Sequence, residues 1–355
     1  MEPVCVADFE RLAEERLEPG AFGYYAGGAG DELALTEHVA AWRRLRLRPR
    51  VLVDVSAVST ATTVLGVPVS MPLLVAPTAI QRLAHPDGEP GMARAAAAVG
   101  TLMCLSTLAT ATPFEVAAAA PGSPRWFQLY VFRDRGVTRS FVEQAAENGY
   151  DAIVLTIDAP RLGRRERDFR TGFRVPAEIT VPSMAALGGW EGATPLELLG
   201  AIDPTLGWDD LDELRSLAPL PLVLKGIQTA EDAALAVEHG VDAIVVSNHG
   251  GRQLDAVAAT ADLLPEIVTA VEGRIEVYVD GGIRRGSDVV KALALGARAV
   301  LAGRAPLWGL ACEGEAGARR VLELLREEIE LALALCGCTS PEQVGPAHLT
   351  RIPGP

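Results

Sequence analysis

From Leu73 onward the chain repeats one syllable: a short run of consecutive apolar, often β-branched positions, then a polar or glycine-rich stretch, then an alanine- and leucine-rich amphipathic segment. The apolar runs are "LLVAPTA" from 73, "TLMCLS" from 101, "RWFQLY" from 125, "AIVLTID" from 152, "LVLKGI" from 222, "AIVVSN" from 243, "EVYVDGG" from 276 and "AVLAGR" from 299. Helical segments such as "GMARAAAAVG", "TRSFVEQAAENG", "TAEDAALAVEHG" and "SDVVKALALG" follow them, opening on Ser or Thr and closing on Gly as helix starts and stops do. Near-continuous apolar strands alternating with helices predict a parallel sheet buried on both faces, and eight such units close a (β/α)₈ TIM barrel. A doubly wound open sheet is disfavoured, because no G-x-G-x-x-G follows the first strand.

Two pieces fall outside the repeat: an N-terminal extension, expected to be helical, over 1–72, and an excursion over 160–221 that interrupts the fourth unit. An excursion of that length is expected to form a lid over the active-site face, with "PSMAALGGWEGATP" its mobile part. The expectation is a single domain over 1–355, with the barrel in 73–310 and a C-terminal helix and tail in 311–355. The segment "GARRVLELLREEIELALALCG" is expected to pack its apolar stripe on the barrel, and "RRLRLRPR" at 43–50 reads as a strand or strap with a solvated face.

Composition narrows the class. The 355 residues are 49% hydrophobic and carry a formal charge of −14, so the chain can bury a large core and lacks the positive field that nucleic acid or an anionic membrane requires. The uncharged window 95–114 is long enough to cross a bilayer, but Gly100 and Pro113 divide it, and no membrane span is expected. The N-terminus carries acids and no apolar h-region, which is not the pattern of a signal peptide, so the mature chain is expected to begin here. Five cysteines without ligand spacing read as reduced thiols of a cytoplasmic protein. His38, His85, His239 and His348 show no paired spacing either, so no metal site is expected.

In a barrel of this kind reactive groups gather at the C-terminal ends of the strands. Those ends are Thr78 and Ala79, Ser106, Gln128 and Tyr130, Thr156 and Asp158, Lys225, Ser247 and His249, Asp280 with Gly281 and Gly282, and Gly303 with Arg304. Any one of them is explained as a cap or a satisfied buried polar group, but all eight converge. "DGGIRRG" and "AGRA" end strands seven and eight, where adjacent glycines admit backbone N–H groups and Arg284 and Arg304 can fork to oxygen, the chemistry of a phosphate site. Lys225 closes an apolar strand and needs a negative partner; a Schiff-base nucleophile and a fixed charge beside an anionic cofactor both remain open. His249 suits a general base with Asp158 as its orienting carboxylate, while Arg165 and Arg252 can clamp a substrate carboxylate beside it.

These motifs, together with "AHPDGE", "LTIDAPRLGRRERD", "VSNHGGRQLD", "DGGIRRGSDVVKALALGA" and "GRAPLWGLACEGEAG", resemble the FMN-dependent 2-hydroxy acid oxidases and dehydrogenases, the glycolate oxidase group, from about Phe9 to His348. The resemblance implies FMN as cofactor. It implies His249 as base paired with Asp158, Arg165 and Arg252 as the carboxylate clamp closed by Tyr24, and Tyr130 on the substrate hydroxyl. Lys225 is then a positive charge near the flavin, and Thr78, Ala79, Ser106, Gln128, Thr156, Ser247, Asp280, Gly281, Gly282, Arg284, Gly303 and Arg304 form the FMN shell.

The implied reaction converts a small 2-hydroxy acid to the 2-oxo acid, by hydroxyl-proton or α-proton removal, with O₂ giving H₂O₂ or a quinone or cytochrome as acceptor. In "LSTLATAT" the chain has Leu108 where short-chain oxidases of the group often carry tryptophan, which implies a pocket for substrates larger than glycolate. Ala79 falls where the monooxygenase branch tends to have glycine, which points to peroxide release. Relatives are usually homotetramers. The rivals are a different FMN barrel acting on a phosphorylated substrate, which would lack the "SNHGGRQLD" arrangement; a peptide-tailoring oxidoreductase; and an inactive flavin-binding scaffold, which would have lost His249, Arg252 or Tyr130.

Overall fold

The computed structural model describes residues 2–182 and 200–351. Eight parallel strands close into a barrel: β4 (Leu73–Val75), β5 (Met103–Leu105), β6 (Arg125–Leu129), β7 (Ala152–Thr156), β8 (Leu222–Ile227), β9 (Ala243–Val246), β10 (Glu276–Asp280) and β11 (Ala299–Ala302), with β11 pairing back to β4. Every run singled out by its apolar pattern is a barrel strand. Each carries two buried faces, one toward the interior and one toward the helices, which is why the runs do not alternate. The interior is filled by Leu74, Cys104, Trp126, Val154, Val223, Val245, Tyr278 and Leu301. Trp126 and Tyr278 meet edge to face with centroids 5.3 Å apart.

The N-terminal extension holds helices Val6–Arg16, Pro19–Ala26 and Leu33–Arg44. It also holds a hairpin, β2 (Thr62–Val64) and β3 (Val67–Val69), that the sequence reading left without structure. Leu65 and Gly66 at its turn both have positive φ, 48° and 77°, the backbone a two-residue hairpin demands. Val64 and Val69 pack into the interior cluster and Leu65 N donates to Glu276 at the start of β10, so the hairpin plugs the N-terminal end of the barrel. The basic strap is a strand as expected: β1 (Leu45–Leu47) pairs antiparallel with β12 (Leu349–Arg351), with Leu45 buried and Arg46 exposed.

The last helix, Arg304–Leu335, begins directly after β11 and breaks at Glu313 and Gly314, where φ and ψ leave the helical region. At that bend Gly309 and Gly317 face each other so closely that a Cβ on either would strike the other's carbonyl oxygen, at 2.3 and 2.1 Å. The distal arm packs against helices Gly88–Val99 and Val6–Arg16. Two helix starts differ from the expected Ser or Thr caps. Asp134 caps Arg135–Glu147, and Asp288 accepts from Arg284 N and Arg285 N ahead of Gly286–Ala294. In the fourth unit a short helix, Glu166–Thr171, packs on Pro19–Ala26, while the stretch expected to be a mobile lid, 182–195, lies outside the described residues but for Pro182. Among the described residues no helix is long and apolar enough to cross a membrane.

Candidate active site

A cavity of about 1040 Å³ opens at the C-terminal ends of the strands. Of the residues proposed from sequence, Tyr24, Thr78, Ala79, Ser106, Leu108, Gln128, Tyr130, Thr156, Arg165, Lys225, His249, Arg252, Asp280, Gly281, Gly282, Arg284, Gly303 and Arg304 line it. Asp158 and Ser247 stand one layer back, each behind a side chain that does line it.

His249 follows β9 in the left-handed region, φ 60°, and Gly250 and Gly251 continue there at 65° and 74°. Three such residues in a row turn the chain sharply back over the barrel end, which a β-branched residue at 249 would resist. The His249 Nδ1 lies 2.8 Å from Asp158 Oδ1. Burial pushes the Asp158 carboxyl up, but the facing His249, its hydrogen bond and the Lys225 charge together hold it below the ordinary carboxylate range. An ionised carboxylate can only accept, so Nδ1 carries the proton and Nε2 keeps its lone pair. Burial also lowers the pKa of His249, with Lys225 and Arg165 adding to the effect against the opposing pull of Asp158. The imidazole is neutral at neutral pH and ready to accept a proton.

The two candidate clamp residues stand beside it. Arg165 is 5% exposed and its Nε donates to Arg252 O at 3.4 Å. Burial and the neighbouring Arg252 charge lower its pKa to about 10, which leaves it fully charged in a place that favours an anion. The Arg252 Nη1 donates to the carbonyls of Tyr24 and Gly27, and its guanidinium lies 5.0 Å over the Tyr24 ring. Tyr24 is thereby fixed by Arg252 from one side and by Phe173, stacked at 5.0 Å, from the other. Burial raises the Tyr130 phenol well above its ordinary value, so it remains a hydrogen-bond donor.

Toward the barrel axis the donors change character. Lys225 Nζ donates to Ser247 Oγ at 3.0 Å and pairs with Asp280 Oδ2 at 3.2 Å. Burial alone would lower its pKa, but the Asp280 and Asp158 charges raise it, so it is a permanent cation rather than a free amine nucleophile. Gln128 Oε1 accepts from Thr107 N at 3.1 Å and Ser106 Oγ at 3.3 Å. That orientation leaves Gln128 Nε2, a buried donor on the cavity wall, without a protein partner among the described residues. After β10 come Gly281 and Gly282, φ 95° and 77°, where a Cβ on Gly282 would lie 2.7 Å from His38 O.

Arg304 donates to the main-chain carbonyls of Tyr25, Gly250 and Gly27, which ties the extension to the end of β11. Burial and the charges of Arg252 and Arg284 lower its pKa, and burial does the same for Arg284. A buried amide donor, a lysine cation and hydroxyls at one end, with a glycine cradle and two arginines at the other, fit a planar heteroaromatic ring carrying a phosphate.

The sequence reading missed Tyr25, Gly250, Ile283 and Leu307, which also line the cavity. Tyr25 and Gly250 adjoin residues it did name, but nothing local marks Ile283 or Leu307, whose apolar side chains read as core.

Comparison with known proteins places this arrangement. The family signature described as FMN-dependent dehydrogenase matches residues 13–351. The chain is 51% identical to the L-lactate oxidase of Nostoc sp., with 98% of both chains covered. It is 48% identical to glycolate oxidase 3 of Arabidopsis thaliana, with 98% of this chain and 96% of the relative covered. Among solved structures, mandelate oxidase with (S)-4-hydroxymandelic acid superposes with a TM-score of 0.93 at 42% identity, covering 99% of each chain. An active chimera of (S)-mandelate dehydrogenase superposes with a TM-score of 0.92 at 38% identity, covering 98% of this chain and 99% of that one.

Proposed function

The chain belongs to the family of FMN-dependent dehydrogenases, and on that premise we propose that it oxidises an (S)-2-hydroxy acid larger than glycolate to the 2-oxo acid, with O₂ as acceptor and H₂O₂ as the second product. FMN is the family's cofactor. Gln128, Ser106, Thr156 and Lys225 would hold its ring, and Gly281, Gly282, Arg284, Gly303 and Arg304 its phosphate, with Thr78, Ala79, Asp280 and Ser247 completing the shell. When bound, FMN supplies the two-electron sink for the substrate's α-carbon.

The observation that carries the reading is the gathering of His249, Asp158, Arg165 and Arg252 at one rim of the cavity. Arg165 and Arg252 bind the substrate carboxylate, and Tyr24 closes on it, which fixes the α-carbon in one orientation. Tyr130 donates to the substrate hydroxyl. The neutral His249 Nε2 takes the proton that substrate loses, and Asp158 stabilises the imidazolium so formed. Lys225 presents a fixed positive charge where electron density increases. Leu108, buried on the cavity wall and smaller than an indole, supports a larger substrate side chain. Ala79 supports release of peroxide.

Transfer to a quinone or cytochrome is the second reading, favoured by the likeness to the (S)-mandelate dehydrogenase chimera. The purified holoenzyme, given a panel of 2-hydroxy acids from glycolate to mandelate in air, should form peroxide in step with 2-oxo acid and turn over the bulkier acids with higher kcat/KM. Turnover that requires an added quinone and forms no peroxide selects the second reading. We also read the chain as one functional unit of the cytoplasm that assembles as a homotetramer, which light scattering of the holoenzyme tests.

A further inference from the structure

Ile80 lies between the cavity-lining Thr78 and Ala79 and the fully buried Gln81, and it adopts φ 56° and ψ 45°. A β-branched residue in the left-handed region is strained, and such strain persists where the surroundings impose it. Here three segments impose it. The Tyr25 hydroxyl donates to Ile80 O. Ile80 N donates to Leu108 O at 2.9 Å. The next amide, Gln81 N, donates to Glu89 Oε1 at 2.9 Å, and Thr110 N donates to that same oxygen at 2.9 Å. The Thr110 hydroxyl donates to the second oxygen of Glu89. Tyr25 is 3% exposed, and Ile80 and Glu89 are 0% exposed. Burial pushes the Glu89 carboxyl up, and its hydrogen bonds only partly oppose that. Tyr25 in turn packs edge-on against Tyr24, with centroids 5.0 Å apart.

We propose that Ile80 is the junction of a latch, with Tyr25 and Glu89 as positioning residues that fix the gap between Tyr24 and Leu108. These two side chains bound the carboxylate end and the side-chain end of the substrate, so the latch sets substrate size. The inference rests on the functional reading above. The left-handed backbone aims the Ile80 C=O at the N-terminal helix and its N–H at the loop after β5, so one residue holds the two walls of the pocket in register. Without the Tyr25 bond the first wall is released; without the Thr110 hydroxyl the second is.

The test uses Tyr25→Phe and Thr110→Val holoenzymes, with Glu89→Gln as the conservative control. Anaerobic flavin bleaching by a short and by a bulky 2-hydroxy acid gives the half-saturating concentration and the limiting rate for each. Either loosened variant should need about five- to tenfold more substrate, with a limiting rate within about twofold of wild type and FMN retained. Selectivity between the two acids should shrink at least about threefold. Glu89→Gln should keep wild-type selectivity, because its amide oxygen still accepts both N–H groups and the Thr110 hydroxyl can turn to accept.

Unchanged half-saturation and selectivity in both loosened variants would overturn the latch, as would parallel losses of Tm, FMN and limiting rate in both. If one variant fails to fold, the other decides on the same two criteria. A wild-type holoenzyme bleached by no 2-hydroxy acid overturns the functional reading and the latch with it; bleached wild type beside indifferent variants overturns the latch alone.

Discussion

At the scale of single residues, the site depends on opposed effects on His249. Burial, Lys225 and Arg165 favour the neutral imidazole, and Asp158 favours the charged one; the first group prevails. The base form is lost when pH falls through the folded-state pKa, which lies below the ordinary 6.5. The acid limb of kcat/KM against pH should therefore have its midpoint below 6.5, and a midpoint at or above 6.5 would contradict the assignment. Asp158→Asn removes the opposing charge, so the limb should move further down while the plateau falls. Leu108 is the second residue-scale determinant. Leu108→Trp should lower kcat/KM for a bulky acid relative to glycolate by about tenfold or more, since an indole occupies space that the larger side chain needs.

Both residues were legible in the sequence, because a histidine and a polar loop placed at strand ends fall where a barrel puts its chemistry. Glu89 and Ile80 were not. A buried glutamate in an alanine-rich helix reads as a surface charge, and nothing in an isoleucine codon announces a left-handed backbone.

At the scale of elements, the loop after β10 depends on the helix Leu33–Arg44. Trp42 Nε1 donates to Gly281 O at 2.8 Å, and the His38 backbone meets Gly282 face to face. Gly282→Ala would require both a positive φ and a Cβ inside contact distance of that helix. It should weaken FMN binding by about tenfold or more, read as loss of yellow colour on gel filtration, while the barrel melts within a few degrees of wild type. Wild-type retention of FMN would mean that the loop relaxes freely.

The eight strands were legible because each carries its own apolar run, and the strap 45–47 because leucine alternates with arginine. The buttress on Gly281 was not, since it joins positions some 240 residues apart and leaves no local pattern. The β2–β3 hairpin did carry a local signal, the Leu65–Gly66 pair between β-branched residues, which the larger barrel pattern overshadowed.

At the scale of the whole molecule, charge is unevenly distributed. The chain carries −14 overall, yet the segment 161–174 at the cavity mouth holds six arginines against Glu166 and Asp168. Arg167 pairs with Glu32 at 2.6 Å and Arg170 pairs with Glu166, while Arg161, Arg164 and Arg174 are exposed. A basic lip on an acidic body raises the local concentration of small anions and is screened by salt. Raising ionic strength from about 0.05 to about 0.5 M should increase KM several-fold for a 2-hydroxy carboxylate at constant kcat. The corresponding neutral amide should show no such change.

The central claim is that His249, held by Asp158 beside Arg165 and Arg252, is the base of a 2-hydroxy acid oxidation. It is tested most directly by the rate of anaerobic flavin bleaching in wild-type and His249→Asn holoenzymes. Asparagine tolerates the left-handed backbone at 249, so the turn and the FMN shell survive the change. The account predicts that both proteins are yellow, that a 2-hydroxy acid bleaches the wild type, and that the variant bleaches about a hundredfold to ten-thousandfold more slowly at saturating substrate. Equal rates in two proteins with equal FMN content would contradict it.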